Sequence, residues 1–224
     1  MDWQALWLSV RLAAIVAAIL LVLSLPLAHW LTFSRHRWKF LIESIVSLPL
    51  VLPPTVLGFY LLLALGSQSA IGRWWTTWTG HPLAFTFESL VIASVFYSLP
   101  FAVQPIAAAF AQVDGTLHDA SATLGASPLR TFARVTVPLS IEGIIAGIVL
   151  SFAHTIGEFG VVLMVGGNLP GVTRTVSISI YEHVQALEYR KANATALLLL
   201  VFSFVVLMSV YALRRKPWAA APLA

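Results

Sequence analysis

The sequence predicts an all-α polytopic membrane protein, and three observations carry that prediction. Of 224 residues, 59% are hydrophobic and only 10% charged, against about 25% charged in a soluble domain; mean hydropathy is +0.89. Such a chain cannot clothe a globule in polar surface, so lipid must cover much of it. Five apolar runs, at about 7–31, 42–66, 87–112, 139–165 and 193–213, reach the roughly 20 residues that cross about 30 Å of hydrocarbon as a helix. The basic residues gather at the ends of these runs rather than along one face, which marks topology and not nucleic-acid binding. The five runs are assigned to a single transmembrane domain, 1–224.

The first run superficially resembles a secretory signal peptide. Asp2 is the only charge before Arg11, however, and no small-x-small cleavage site follows. The run also outlasts the roughly 7–15 residues of a signal core, so it is expected to stay as a span. The second and third runs carry prolines: Pro49, Pro53 and Pro54 in one, Pro100 and Pro105 in the other. Each removes a backbone donor and crowds the carbonyl four residues back, so both helices are expected to kink. Carbonyls freed within lipid need partners from neighbouring helices or a wet cavity. Kinks around a pathway and purely structural bends both satisfy this. Between the second and third runs, Trp74, Trp75 and Trp78 place rings along a short interfacial helix; a membrane anchor is weighed there against a ligand cage. Residues Thr175 to Tyr189 form a further short amphipathic helix, expected on the outer surface.

Five spans put the termini on opposite sides. With the C-terminus inside, Arg35, Arg37, Lys39, Arg130, Arg134, Arg214, Arg215 and Lys216 are cytoplasmic. Arg11, Arg73, Arg174, Arg190 and Lys191 are then outside. Eight against five favours this orientation, N-terminus out; Arg190 and Lys191 beside the last span count against it. Cysteine is absent, which removes disulfides and thiolate metal sites. No phosphate-binding G-x-x-x-x-G-K-[ST], H-E-x-x-H or G-x-S-x-G occurs and the six histidines are scattered. The chain is expected to be neither an ATPase of that kind, nor a zinc enzyme, nor a nucleophilic hydrolase. Uphill transport would draw on a partner or an ion gradient.

The loop 113–138 is the most informative stretch. Leu117, Ala120, Ser121 and Leu124 share one helical face. Gly125 can end that helix in a left-handed conformation, and Ser127-Pro128 suits the start of another. Two short helices at a glycine turn make a rigid knob suited to a groove on a partner. In this loop Asp119-Ala120-Ser121, Gly125, nine residues from Ala126-Ser127-Pro128 onward, and Val135-x-Val137-Pro138 resemble the E-A-A-x-x-x-G, nine residues, I-x-L-P motif of permeases in binding-protein-dependent ABC importers. Asp for Glu, Ser for Ala and Val for Ile and Leu are mild departures. The resemblance sharpens elsewhere: Leu48 to Gly58, Gly157-Glu158-Phe159-Gly160, and Asn168 to Thr175 are similar to the L-P-L-V-L-P-P-x-V-x-G, G-E-F-G and N-I-P-G-x-T-R-T runs of molybdate permeases. It covers about Leu6 to Leu213.

That resemblance implies a type I ABC importer permease fold of about five transmembrane helices plus cytoplasmic coupling helices, in a bacterial inner membrane. It implies a second copy of the chain across the pathway and two cytoplasmic ABC ATPases on the 113–138 loops. A periplasmic molybdate-binding protein would sit on the outer face, with Asn168, Thr173 and Arg174 as docking candidates. No cofactor is expected on this chain, since ATP and magnesium would belong to the ATPase. Tungstate or sulfate is the alternative cargo. Pro53, Pro54, His154, Glu158 and Phe159 are pathway or gate candidates. Glu158 lies inside an apolar run, where a carboxylate must face protein or a cavity, and His154, one turn earlier, could pair with it. Interhelical anchor, gate lining and proton relay are its competing roles. The last belongs to a rival class, a proton-coupled secondary transporter. Gly157 and Gly160 are expected to permit close helix packing beside it.

Overall fold

The computed structural model describes residues 2–213, so the basic tail Arg214 to Lys216 lies outside the described residues. Twelve helices follow one another, and among the described residues no strand forms. Helix α1 (Trp3–Phe33) opens on Asp2, whose carboxylate accepts the Ala5 N–H at 3.0 Å, a cap that satisfies an otherwise orphaned donor. Leu8, Leu12, Val16 and Leu20 recur every fourth residue and are buried against Leu90, Val162 and Ile178, one stripe turned inward. Helix α5 (Phe87–Ala111) runs without interruption through Pro100 and Pro105. With α9 (Ile141–Gly157) it completes a three-helix core with α1.

Two expected spans are broken. The run 42–66 becomes α2 (Lys39–Ser47), a single 3₁₀ turn at Leu48–Leu50, and α3 (Pro54–Leu65), with a 110° bend between the two halves. Prolines explain it: Pro53 and Pro54 sit at the N-cap and first position of α3, where proline is welcome, rather than inside a helix they would merely kink. The run 139–165 divides at Glu158 and Phe159 into α9 and α10 (Gly160–Gly166). Three helices are long and apolar enough to cross a membrane by themselves, and up to five when two bent pairs each count as one span: Lys39–Leu50 with Pro54–Leu65, and Pro128–Leu139 with Ile141–Gly157, the latter bent by 74°.

Helix α4 (Ala70–Thr79) carries the tryptophans, with Trp74 and Trp78 stacked at 6.0 Å and both exposed. Helix α11 (Val176–Gln185) is not a purely surface element, because Val176, Ile178 and Ser179 are buried. The Val176 N–H donates to Ser9 Oγ at 2.8 Å, which draws α11 into the bundle. Helix α12 (Tyr189–Leu213) leans on α11 and α9 and leaves Leu200, Val201, Phe204, Val205 and Met208 exposed, as a lipid-facing helix does.

The molecule has two distinct ends. At one, Phe33 at the end of α1 meets His118 of the 113–138 segment. At the other lie Asp2, α4 and the loop after α10, joined by Arg174 to Asp2 at 3.9 Å and by the Phe85 N–H to Val165 O at 3.0 Å. Exposed tryptophans mark both ends, Trp3, Trp74 and Trp78 at one and Trp30 and Trp38 at the other, the pattern of headgroup belts.

Candidate functional site

The 113–138 segment folds as a helical knob. Asp114 caps α6 (Gly115–Thr123) by accepting the Thr116 N–H at 2.9 Å. That bond holds the exposed Asp114 carboxyl below the usual carboxylate range. Gly125 takes φ +75°. The Gly125 N–H donates to Ala122 O at 2.9 Å and the Ala126 N–H to Ser121 O at 3.1 Å, the paired bonds of a Schellman turn. Ser127 then caps α7 (Pro128–Thr131), its Oγ accepting from the Arg130 N–H. The two helices are tied by Ser121 Oγ to Thr131 Oγ1 at 2.7 Å.

From Phe132 to Thr136 the helix widens to π geometry, with the Val137 N–H reaching Phe132 O, before α8 (Val137–Leu139) carries it into the root of α9. Pro138 supplies the physical reason: it has no N–H to give, and its ring crowds the carbonyl four residues back. Asp119 and Ala120 are exposed on the knob, Ser121 and Ala126 are half-buried, and Ser127, Pro128 and Pro138 are exposed. Leu124 and Leu129 stand out at 87% and 76% exposure. Two bare leucines on a rigid, capped surface are what a partner's groove can bury.

The second site is the break in the fourth span. Glu158 is buried, and its Oε1 accepts the Val161 N–H at 2.7 Å, so the carboxylate caps the N-terminus of α10. It does not pair with His154: among the described residues no bond or ion pair joins them. His154 Nδ1 lies 3.0 Å from Ser98 Oγ, which is also 2.9 Å from Thr155 Oγ1. The imidazole stacks on Phe101 at 3.8 Å. One helical turn brings Glu158 and His154 close in sequence, but the break at Glu158 rotates the carboxylate away. Ser98 was missed in the sequence; a hydroxyl amid an apolar run was its signal.

Phe159 packs against Tyr181 with the rings tilted, centroids 5.0 Å apart. Pro54 and Gly58 of α3 cross α10 closely: a Cβ on Gly160 would lie 2.6 Å from Pro54 Cβ, and one on Gly58 2.8 Å from Met164 Cβ. The proline run and the G-E-F-G element, a hundred residues apart in sequence, thus form one crossing. Gly157 does not share this role, since nothing lies within 4 Å of a Cβ there. The close approach between α5 and α9 is made instead by Gly143 and Gly147, facing Ala109 and Ala102.

The loop after α10 is held from within. Thr173 is fully buried, donating to Gly166 O at 2.7 Å and accepting the Leu169 N–H at 3.1 Å. Arg174 donates from Nε to Asn168 Oδ1 at 2.6 Å and pairs with Glu182 at 3.2 Å. Asn168 and Arg174 therefore remain at the surface, whereas Thr173 is a staple with no face to offer a docking protein. Thr173→Val is expected to cost about 1–3 kcal/mol by stranding a buried carbonyl, read as a lowered thermal midpoint in detergent. On the same end, Glu188 is held below the usual carboxylate range by its bond to Lys191, then by that to His183. Its folded value is depressed, so this clasp is complete above the ordinary carboxylate range and loosens as pH falls through the lowered one.

Comparisons with known proteins agree with this geometry. Residues 12–218 match the family described as binding-protein-dependent transport system inner membrane component. The chain is 49% identical over 215 residues to the molybdenum transport system permease protein ModB of Azotobacter vinelandii, covering 96% of this chain and 95% of that one. It is 34% identical over 214 residues to the protein of the same name from Haemophilus influenzae, covering 94% and 91%. The fold matches a bacterial alginate ABC transporter crystallised with an alginate-bound periplasmic protein, at TM-score 0.74 and 15% identity, over 95% of this chain and 78% of that one. The chain therefore belongs to the binding-protein-dependent transport system inner membrane components, with the fold of ABC importer permeases, and is a multi-pass inner-membrane transport subunit rather than a catalytic enzyme.

Proposed function

We propose that this chain is the permease subunit of an ATP-driven molybdate importer, working as a two-fold dimer with the pathway between copies. The cargo reading draws on the near-full-length likeness to relatives named molybdenum transport permeases. The observation that carries the coupling reading is the knob, capped at both ends and presenting Leu124 and Leu129. Two cytoplasmic ATPases hold ATP and magnesium and take the knobs into their grooves; this chain binds no cofactor. The knob end is therefore cytoplasmic and the N-terminus periplasmic, as the basic residues of the first loop favour. A periplasmic molybdate-binding protein meets the opposite end, where Asn168 is exposed and Arg174 half-buried.

The test is co-expression with the ATPase subunit, comparing wild type with Gly125→Val. A Cβ at Gly125 meets nothing within 4 Å, so any effect comes from the left-handed φ, about 1–2 kcal/mol of strain for a residue with a Cβ. Wild type should copurify with the ATPase and Gly125→Val should not, while both fold in the membrane. Uptake of labelled molybdate into proteoliposomes, with tungstate and sulfate as competitors, then decides the cargo. Uptake competed by sulfate alone would move the assignment to that anion.

A further inference from the structure

We infer that His118 is the positioning residue through which movement of the knob is passed to the membrane helices. This rests on the coupling role proposed above and goes beyond it by naming the joint.

Helix α6 is nearly free of the bundle; its residues are mostly exposed. Among the described residues, the side-chain hydrogen bonds that tie it onward are two, Ser121 to Thr131 within the knob and His118 Nε2 to Thr136 Oγ1 at 3.1 Å. Thr136 is buried in the π-helical stretch that leads into α9. The His118 ring also meets Phe33, at the end of α1, in a T-shaped contact at 5.0 Å. One imidazole therefore touches the roots of two spans at once.

Behind it lies a nest of rings. His29 sits 4.9 Å from Phe33 and 4.8 Å from Phe132, and Phe132 meets Phe110 of α5 at 5.8 Å. Edge-to-face rings resist sliding and transmit displacement as a packed unit. Two features of this joint favour rearrangement. The π stretch is a rare helical register, closed by the Val137 N–H to Phe132 O bond, and rare registers of this kind recur at functional sites. His29 Nδ1 is buried with no hydrogen-bond partner, a cost another arrangement can relieve. The docking leucines Leu124 and Leu129 are exposed and take no part in the His118 contacts to Thr136 and Phe33, so docking and transmission are separable.

The experiment uses the full transporter with its ATPase and binding protein in proteoliposomes, measuring labelled molybdate taken up per ATP hydrolysed. His118→Ala should still capture the ATPase and hydrolyse ATP within about twofold of wild type, while uptake per ATP falls about tenfold, a mid-range coupling energy. His118→Gln, which keeps a side-chain nitrogen for Thr136, should recover much of the ratio; His118→Phe, which keeps the ring alone, should recover less. Unchanged uptake per ATP in His118→Ala would overturn the inference. So would loss of ATPase capture together with uptake, which would make His118 only part of the knob's shape. If wild-type chain captures no ATPase, the coupling reading itself fails, and that is seen before any variant is compared.

Discussion

Gly147→Val is expected to be strongly destabilising, because it forces apart two helices of the central bundle. A Cβ at 147 would lie 2.7 Å from Ala102 O and 3.2 Å from Ile106 Cγ1. The first is backbone of α5 and cannot swing aside. Helices α5 and α9 must then separate, and with them the buried contacts of Ile106 and Ile144. Overpacking of this kind costs about 1–3 kcal/mol and sometimes more, against total stabilities of about 5–15 kcal/mol. The expected result is a strongly lowered thermal midpoint in detergent, or no folded protein. Gly157→Ala is the contrast: with open space around its Cβ position, it should stay within about 0.5 kcal/mol of wild type. Equal effects at the two positions would mean that close backbone approach does not organise this bundle.

Glu158 gives the second large effect, and its two variants separate capping from proton chemistry. Glu158→Ala removes the acceptor for the Val161 N–H and strands that donor in the interior, at about 1–3 kcal/mol. Helix α10 should loosen from α3, and transport should fall with stability. Glu158→Gln keeps an oxygen where the cap needs one but cannot take up and release a proton as a carboxyl does. If Glu158 is a cap, the glutamine variant retains most of wild-type stability and uptake. If it is a proton relay, the glutamine variant folds and does not transport, and a pH gradient drives uptake by wild type without ATPase. Measuring both variants for midpoint and uptake decides between them.

How much of this was legible in the sequence differs from element to element. The apolar stripe of α1 and the long run of α5 announced themselves, because lipid demands about 20 apolar residues per crossing. The knob was equally legible: Gly125 and Ser127-Pro128 mark turn and start by their own backbone preferences. The prolines announced a bend in the second span but not its 110° sharpness, and the fourth span was not legible as broken. Hydropathy runs smoothly through Pro53-Pro54 and through Glu158-Phe159, and apolarity says nothing about direction. The expected His154–Glu158 pairing failed for the same reason, since helical spacing holds only while the helix continues. The pathway and docking candidates divided likewise: Thr173 proved an internal staple, whereas Asn168 and Arg174 remained on the surface.

The sequence by itself determined the class of solvent, the number of apolar runs, the caps and the knob, together with the family motif those local signals compose. Each rests on chemistry within a few residues: a side-chain oxygen reaching the third N–H onward, a glycine accepting positive φ, a run long enough for hydrocarbon. Only the tertiary structure decided that Gly143 and Gly147 let α9 touch α5, and that Pro54 and Gly58 cross Gly160 and Met164. It alone placed Asp2 beside Arg174, and joined His118 to both Phe33 and Thr136. Those meetings depend on where two helices cross, and the crossing is set by the packing of all the helices together. A residue's near neighbours in sequence carry no record of it.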